Sequence, residues 1–117
     1  AIAARLSEPG LSLSRENVLV TASGLQGLDL LGKALIDEGA PVAAQDPTYL
    51  GALDAWRPRR PRYRALRLDD PGLDATRALA GAQFAYTVPN FSNPTGRLVD
   101  LATRERLAEA AHATGTW

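Results

Sequence analysis

The sequence contains no cysteine and no methionine, a single histidine (His112) and a single lysine (Lys33). Without cysteine there is no disulfide and no thiolate nucleophile or metal ligand, and one histidine cannot form a His-cluster centre, so no metal site is expected. Without methionine there is no initiator residue. The opening Ala1-Ile2-Ala3-Ala4-Arg5-Leu6 reads like the end of a helix already under way. The closing Ala113-Thr114-Gly115-Thr116-Trp117 stops just past a helix C-cap, where an α/β chain would start its next strand. An internal segment, truncated at both ends, is the expectation. An excess of charge of either sign is lacking too: 13 Lys and Arg balance 13 Asp and Glu. No global field therefore draws the chain to nucleic acid or a membrane surface. No apolar run approaches the roughly 20 residues of a membrane span and no signal peptide is visible, so a cytoplasmic location is expected.

What is present, in 117 residues, is one domain's worth of chain or less. Residues 1–8 read as a helix end closed by Pro9-Gly10. A β-branched strand is expected at Asn17–Thr21, followed by a helix over about Leu25–Glu38 with Leu28, Leu31 and Leu35 at helical spacing. Asp29 and Lys33 can pair at i,i+4, and Gly39 suits the C′ position. A second strand at 41–45 leads into a helix from Asp46-Pro47-Thr48 to about Trp56, with Pro47 near its first turn. A third strand covers about Tyr63–Leu68, a short helix Leu73–Ala80 and a fourth strand 84–88. The last helix spans Leu101 to about Ala113, with Asp100 as N-cap, Leu101, Leu107, Ala108 and Ala111 apolar, and Gly115 at its end. Strands alternating with helices imply an α/β fold with a parallel sheet and right-handed crossovers.

Three stretches follow strand ends. Ser23-Gly24-Leu25-Gln26 turns a strand into a helix whose first N–H groups and dipole would suit a phosphate, although an isolated Ser-Gly is more often a plain turn. Tyr49 follows the second strand, where a tyrosine taken alone is more often a core residue at a helix start. Asn93 lies in Phe84-to-Gly96, FAYTVPNFSNPTG. Here Pro89 stops the ladder, Pro94 biases Asn93 to extended geometry and makes a cis bond affordable, and Gly96 allows positive φ. Taken alone, Asn-Pro-Thr-Gly is an ordinary turn. Six arginines between Arg57 and Arg67, broken by Pro58 and Pro61, read as a solvated connector rather than a substrate-carboxylate or partner contact. Lys33 reads as a surface partner of Asp29, and His112 sits late in a helix where the dipole and solvent suit it.

Together, Thr21-Ala22-Ser23-Gly24-Leu25-Gln26, Asp46-Pro47-Thr48-Tyr49 and Asn93-Pro94-Thr95-Gly96 occur in the order of the fold-type-I aminotransferases, and nearly the whole chain resembles them. The resemblance is closest to the branch acting on 2-aminoadipate and on aromatic or branched amino acids. It implies a three-layer αβα fold in which residues 1–117 are part of the large domain that binds pyridoxal 5′-phosphate (PLP). It also implies a homodimeric full-length enzyme moving an amino group between an amino acid and a 2-oxo acid. By resemblance, Ser23, Gly24, Leu25 and Gln26 hold the phosphate, Tyr49 stacks on the pyridine ring, and Asn93 donates to its 3′-oxygen. The family has a hydroxyl where this chain has Leu25, so one side-chain hydrogen bond is missing while the backbone amides survive. Gln26-Gly27 likewise departs from the common Gln-Gln.

The resemblance puts no catalytic residue within this chain, because the family's Schiff-base lysine and pyridine-nitrogen carboxylate come further on. It orders the sheet 63–67, 42–45, 84–88, with 17–21 far away and without its normal partner, and brings the three motifs to one cleft. Two other readings share the fold. One is a PLP-sensing domain of a helix-turn-helix regulator, a group whose members tend to lose Asn-Pro-Thr-Gly; the other is a PLP lyase.

Overall fold

Three short strands, Pro41–Gln45 (β1), Arg62–Leu66 (β2) and Phe84–Tyr86 (β3), form one parallel sheet in the order β2-β1-β3. The order matches the expectation, and Val42 lies opposite both Tyr63 and Phe84. The computed structural model describes residues 2–7 and 10–117. Pro9, expected to close the first helix, lies outside the described residues, as do Ala1 and Glu8.

Alternation along β1 builds the layers, because successive side chains of a strand point to opposite faces. Val42 and Phe84 pack with Ile36, Ala52 and Trp56, which come from the helices Gly24–Leu35 (α2) and Leu50–Trp56 (α3) or just after them. Ala43 and Leu66 face the other way, onto Leu79 and Ala110 of Ala75–Leu79 (α4) and Leu101–Thr114 (α5). The result is a three-layer αβα unit, with the central strand buried on both faces. One further helix, Ile2–Ser7 (α1), precedes a 3-10 turn at Arg15–Asn17.

Several boundaries differ from expectation, each for a visible reason. The strand expected at Asn17–Thr21 has no ladder: Asn17 ends the 3-10 turn, Val18 is extended, and Leu19 and Val20 are 79% and 74% exposed. This is the unpartnered state expected of a strand belonging elsewhere in the sheet. Helix α2 stops at Leu35 because Ile36 turns extended and buries itself in the core. Gln83 then clamps the next residue, its Oε1 accepting from Asp37 N at 3.0 Å and its Nε2 donating to Asp37 Oδ2 at 2.8 Å. Gly39 (φ +73°) therefore belongs to the turn before β1 and not to a helix cap. Leu31, expected on the buried face, is exposed, while Leu28 and Leu35 pack inward.

Helix α3 begins only at Leu50, since the chain bends at Asp46 and Pro47 and Tyr49 is still extended. Strand β2 ends at Leu66, where its partner Gln45 ends, and Leu68 instead enters the core. Strand β3 ends at Tyr86 because the N–H of Val88 is taken by the Gln45 side chain. Asp74 caps α4 and Asp100 caps α5, each carboxylate accepting a backbone N–H at 2.9 Å. In α5, Leu107 and Ala111 pack inward, but Leu101 and Ala108 are exposed. Gly115 closes α5 in the left-handed region. Beyond it, Trp117 N donates to Gln83 O (3.2 Å) and Trp117 O accepts from Ala85 N (2.6 Å), a parallel bridge on the free edge of β3.

Gly32 is where α2 meets Trp56, and a Cβ there would stand 2.9 Å from Trp56 Nε1 and closer still to the adjoining ring carbon. Alanine favours a helix by about 1 kcal/mol over glycine, but overpacking a filled core costs about 1–3 kcal/mol. Gly32→Ala is therefore expected to lower the unfolding midpoint in denaturant. A raised midpoint would show that the two helices can part without cost.

Candidate functional site

Two of the three candidate groups leave the sheet at its C-terminal edge, and the third comes level with that edge. Tyr49 follows β1 by four residues, and Asn93 follows β3 by seven. For Gly24 the placement comes from α2, whose C-terminal end turns through 36–40 into the start of β1. Twelve helical residues rise about 18 Å and five strand residues about 16 Å, so the start of α2 comes level with the end of β1.

At the start of α2, Ser23 is the N-cap. Its Oγ accepts from Gln26 N at 3.2 Å, while Gln26 Oε1 accepts from Ala22 N at 2.6 Å. This is close to a reciprocal capping box, with Gln26 reaching one residue beyond the cap. It uses the Gln26 amide, so the N–H groups left without a partner among the described residues are those of Gly24 and Leu25. Both residues are exposed, and a Cβ on Gly24 would meet nothing within 4 Å. The turn thus offers two free donors and the positive end of a helix dipole.

Tyr49 is the N-terminal flanking residue of α3, half-buried against the cluster that holds Trp56 and Tyr86. Its ring lies over Gly51, where an added Cβ would overlap the ring and hydroxyl. Trp56 Nε1 donates to Leu28 O at 2.8 Å, joining α3 to α2 and so linking the Tyr49 and Gly24 loops. Tyr86, at the end of β3, stands edge-on to Trp56 with centroids 5.1 Å apart. Burial raises its phenol above the usual tyrosine range, and the neighbouring Tyr49 phenol adds to the shift.

Asn93 sits at the tip of a loop closed on itself: Val99 N donates to Pro89 O and Ser92 N to Arg97 O, both at 2.9 Å, and Gly96 N donates to Ser92 O. The Asn93–Pro94 bond is cis and Gly96 has φ +70°, as the loop residues suggest. The Asn93 side chain is exposed and makes no hydrogen bond among the described residues. On one side Arg104 holds the loop base, donating to Val99 O (2.7 Å), Pro89 O (3.1 Å) and Asn90 Oδ1 (2.8 Å). On the other, buried Gln45 bonds Val88 and Ser92. A cleft of about 350 Å³ flanks the loop on the β2 side, lined by Asp46, Asp69, Ser92, Thr95 and Arg97 among others, but by none of Gly24, Tyr49 and Asn93. The three candidates share an open edge, not an enclosed cavity.

Gln45, Gly51, Tyr86 and Arg104 were not singled out from sequence. Gln45 could have been: it is the one polar residue of an apolar strand that is buried at its end. Arg104 carried no such signal. The arginine run, read as a solvated connector, has a further role on the opposite edge. There Arg59, Arg62 and Arg64 donate to the carbonyls of Lys33, Gly39 and Ala80. Lys33 itself pairs with Asp29 at 2.6 Å, exposed on the outside of α2.

An αβα layer with a phosphate-suited helix start, and with Tyr49 and Asn93 just beyond its strand ends, has the form of a ligand-binding α/β unit. The chain belongs to the aminotransferase class I and II family, whose model matches residues 1–117. It is 39% identical over 105 residues to a 2-aminoadipate transaminase of Thermus thermophilus, covering 86% of this chain and 26% of that protein. It is 30% identical to an uncharacterised HTH-type transcriptional regulator of Bacillus subtilis, over 92% of this chain and 23% of the regulator. Among solved structures it superposes with TM-score 0.81 on the alpha-aminoadipate aminotransferase of Thermus thermophilus, complexed with N-(5′-phosphopyridoxyl)-L-leucine. That match has 36% identity and covers 98% of this chain and 31% of the other. The chain thus spans between about a quarter and a third of the length of these relatives.

Gly51→Ala is expected to move the Tyr49 ring while changing stability by no more than about 1 kcal/mol, since alanine is the better helix former. Aromatic NMR signals of Tyr49 should shift and its contacts with the Trp56 cluster weaken. Unchanged signals would show that the ring does not lie over Gly51.

Proposed function

We propose that this chain is part of the cofactor-binding domain of a PLP-dependent aminotransferase, an enzyme that moves an amino group between an amino acid and a 2-oxo acid. The observation that carries the reading is that three orienting groups follow three separate segments to one sheet edge, in a chain of this family. The residues fit the cofactor. The unpaired amides of Gly24 and Leu25 suit its phosphate, with Ser23 and Gln26 holding that turn in shape. The half-buried ring of Tyr49 suits stacking on the pyridine. The unpaired carboxamide of Asn93 suits donation to the 3′-oxygen. Bound PLP supplies an electron sink for charge developing at the substrate's α-carbon. This chain's residues bind and orient. The lysine that carries the cofactor and the carboxylate facing the pyridine nitrogen belong, in this reading, to other parts of the full-length protein, a cytoplasmic homodimer. No helix among the described residues is long and apolar enough to cross a membrane.

A second reading, a PLP-sensing domain of a helix-turn-helix regulator, is favoured by the relative of that kind noted above. Retention of Asn93-Pro94-Thr95-Gly96 weighs for the enzyme. The full-length protein incubated with PLP, an amino acid and a 2-oxo acid should exchange the amino group. Specific DNA binding responsive to PLP, without turnover, would favour the regulator instead. In the enzyme, Asn93→Ala should lower kcat/KM about tenfold or more, the equivalent of one hydrogen bond to a charged group, while leaving the unfolding midpoint near that of the parent. An unchanged rate would remove the role given to Asn93.

The 117-residue chain by itself should show no transamination and no specific adduct with PLP. From Leu25 to Lys33 is eight residues, about 12 Å along the axis, and a lysine side chain reaches only about half that distance. Borohydride reduction of the soluble chain with PLP, followed by peptide mass mapping, tests this. Stoichiometric, saturable labelling of Lys33 with turnover would overturn it.

A further inference from the structure

We propose that Gln45 is a positioning residue for Asn93, setting from the end of β1 the place at which the Asn93 carboxamide meets the cofactor; this rests on the function proposed above. Gln45 is 8% exposed, in a strand that is otherwise apolar. A carboxamide there is costly unless both ends are paired. Both are: Oε1 accepts from Val88 N at 2.8 Å, and Nε2 donates to Ser92 Oγ at 2.7 Å. Since a backbone N–H can only donate, Oε1 must face Val88, which fixes the direction of the amide and makes Nε2 the group facing Ser92.

The two partners bracket the path from β3 to Asn93. Val88 is where the chain leaves the sheet, and Ser92, 1% exposed, is the residue just before Asn93. The backbone of Ser92 is already used inside the loop, by Arg97 and Gly96. Its hydroxyl is therefore what ties the tip to the sheet, the other outward bond at that end of the loop being the exposed pair of Arg97 with Asp69 (2.7 Å) in the turn after β2. Arg104 grips only the base, at Pro89, Asn90 and Val99. If the Gln45 bonds are lost, Ser92-Asn93 keeps hydrogen bonds only to its own loop. The loop stays closed, but its tip is free to shift by the ångström or so that costs an orienting group its effect.

The test uses the full-length protein loaded with PLP and follows the pH midpoint of the bound cofactor's visible absorption, with kcat and KM for the amino donor. A donor to the 3′-oxygen stabilises its negative charge, so removing it makes the neighbouring proton harder to lose and raises the midpoint. Asn93→Ala should therefore raise it. Gln45→Leu, close in size and without hydrogen bonds, should raise it in the same direction and lower kcat about tenfold or more. The Val88 amide of the apo protein should also exchange faster. Gln45→Glu, whose carboxylate can accept from both Val88 N–H and Ser92 O–H, should restore the midpoint towards the parent's. Gln45→Leu added to Asn93→Ala should produce no further shift. A parental midpoint in Gln45→Leu, with Asn93→Ala shifted, overturns the role of Gln45 alone. A parental midpoint in Asn93→Ala overturns the role of Asn93 and this proposal with it. Should Gln45→Leu fail to fold, Ser92→Ala removes the loop end of the same link: a raised midpoint supports the proposal and a parental one overturns it.

Discussion

The Trp56 side chain is the contact on which the arrangement of the rest depends. It is fully buried, stands edge-on to Phe84 and Tyr86 of β3, and donates from its indole to the carbonyl of Leu28. One residue thus touches α2 and the sheet while ending α3. The contact requires Gly32, since no side chain fits between the indole and the helix. With an aromatic pair contributing about 0.5–1.5 kcal/mol beyond its buried area, the wedge also resists sliding of α2 along the sheet. The height of the first turn of α2 relative to the strand ends follows from this packing.

The two edges of the sheet are finished in opposite ways. At the N-terminal edge polar groups are used up: arginines cover the carbonyls of Lys33, Gly39 and Ala80, and Gln83 pairs twice with Asp37. At the C-terminal edge the first amides of α2 and the carboxamide of Asn93 have no partner among the described residues, although the loops carrying them are closed by hydrogen bonds. Unpaired donors on braced loops are what a ligand-binding edge of an α/β sheet needs, because the cost of ordering them has been met before anything binds.

The layers were legible in the sequence because they follow from alternation and spacing. β1 and the capping of α5 by Asp100 and Gly115 emerge as local pattern predicts, and the order of the strands as the family resemblance implies. What was not legible depends on partners distant in the chain. Helix α2 ends early through Gln83, which is 46 residues from Asp37, and β3 ends early through Gln45, 43 residues from Val88. In both cases a side-chain amide takes a backbone N–H that local pattern assigns to a helix or a ladder. The inward face of α2 was right at two of its three positions for a related reason: Leu28 and Leu35 pack on the Trp56 cluster, whereas Leu31 is exposed. The candidate site was read at Gly24, Tyr49 and Asn93 from family motifs, and the fold carries these positions towards the C-terminal end of the strands. The brace at Arg104 is invisible without the fold.

The groups proposed to meet the cofactor here differ in how much they depend on side-chain identity. At the start of α2 the donors are backbone amides, so Leu25 can stand where a hydroxyl is usual and the two N–H groups remain in place. That substitution forgoes one hydrogen bond to a charged acceptor, about 1.5–3 kcal/mol, but leaves the helix dipole and the geometry of the turn untouched. Asn93 has no such reserve. Its donor is a side-chain carboxamide, and its direction depends on a loop whose tip reaches the sheet through the Ser92 hydroxyl and Gln45. Tyr49 lies between these cases, since its ring is held from below by Gly51 and from the side by the core. Tolerance to substitution should therefore fall from the phosphate end of the site to the ring end, following the shift from backbone to side-chain recognition.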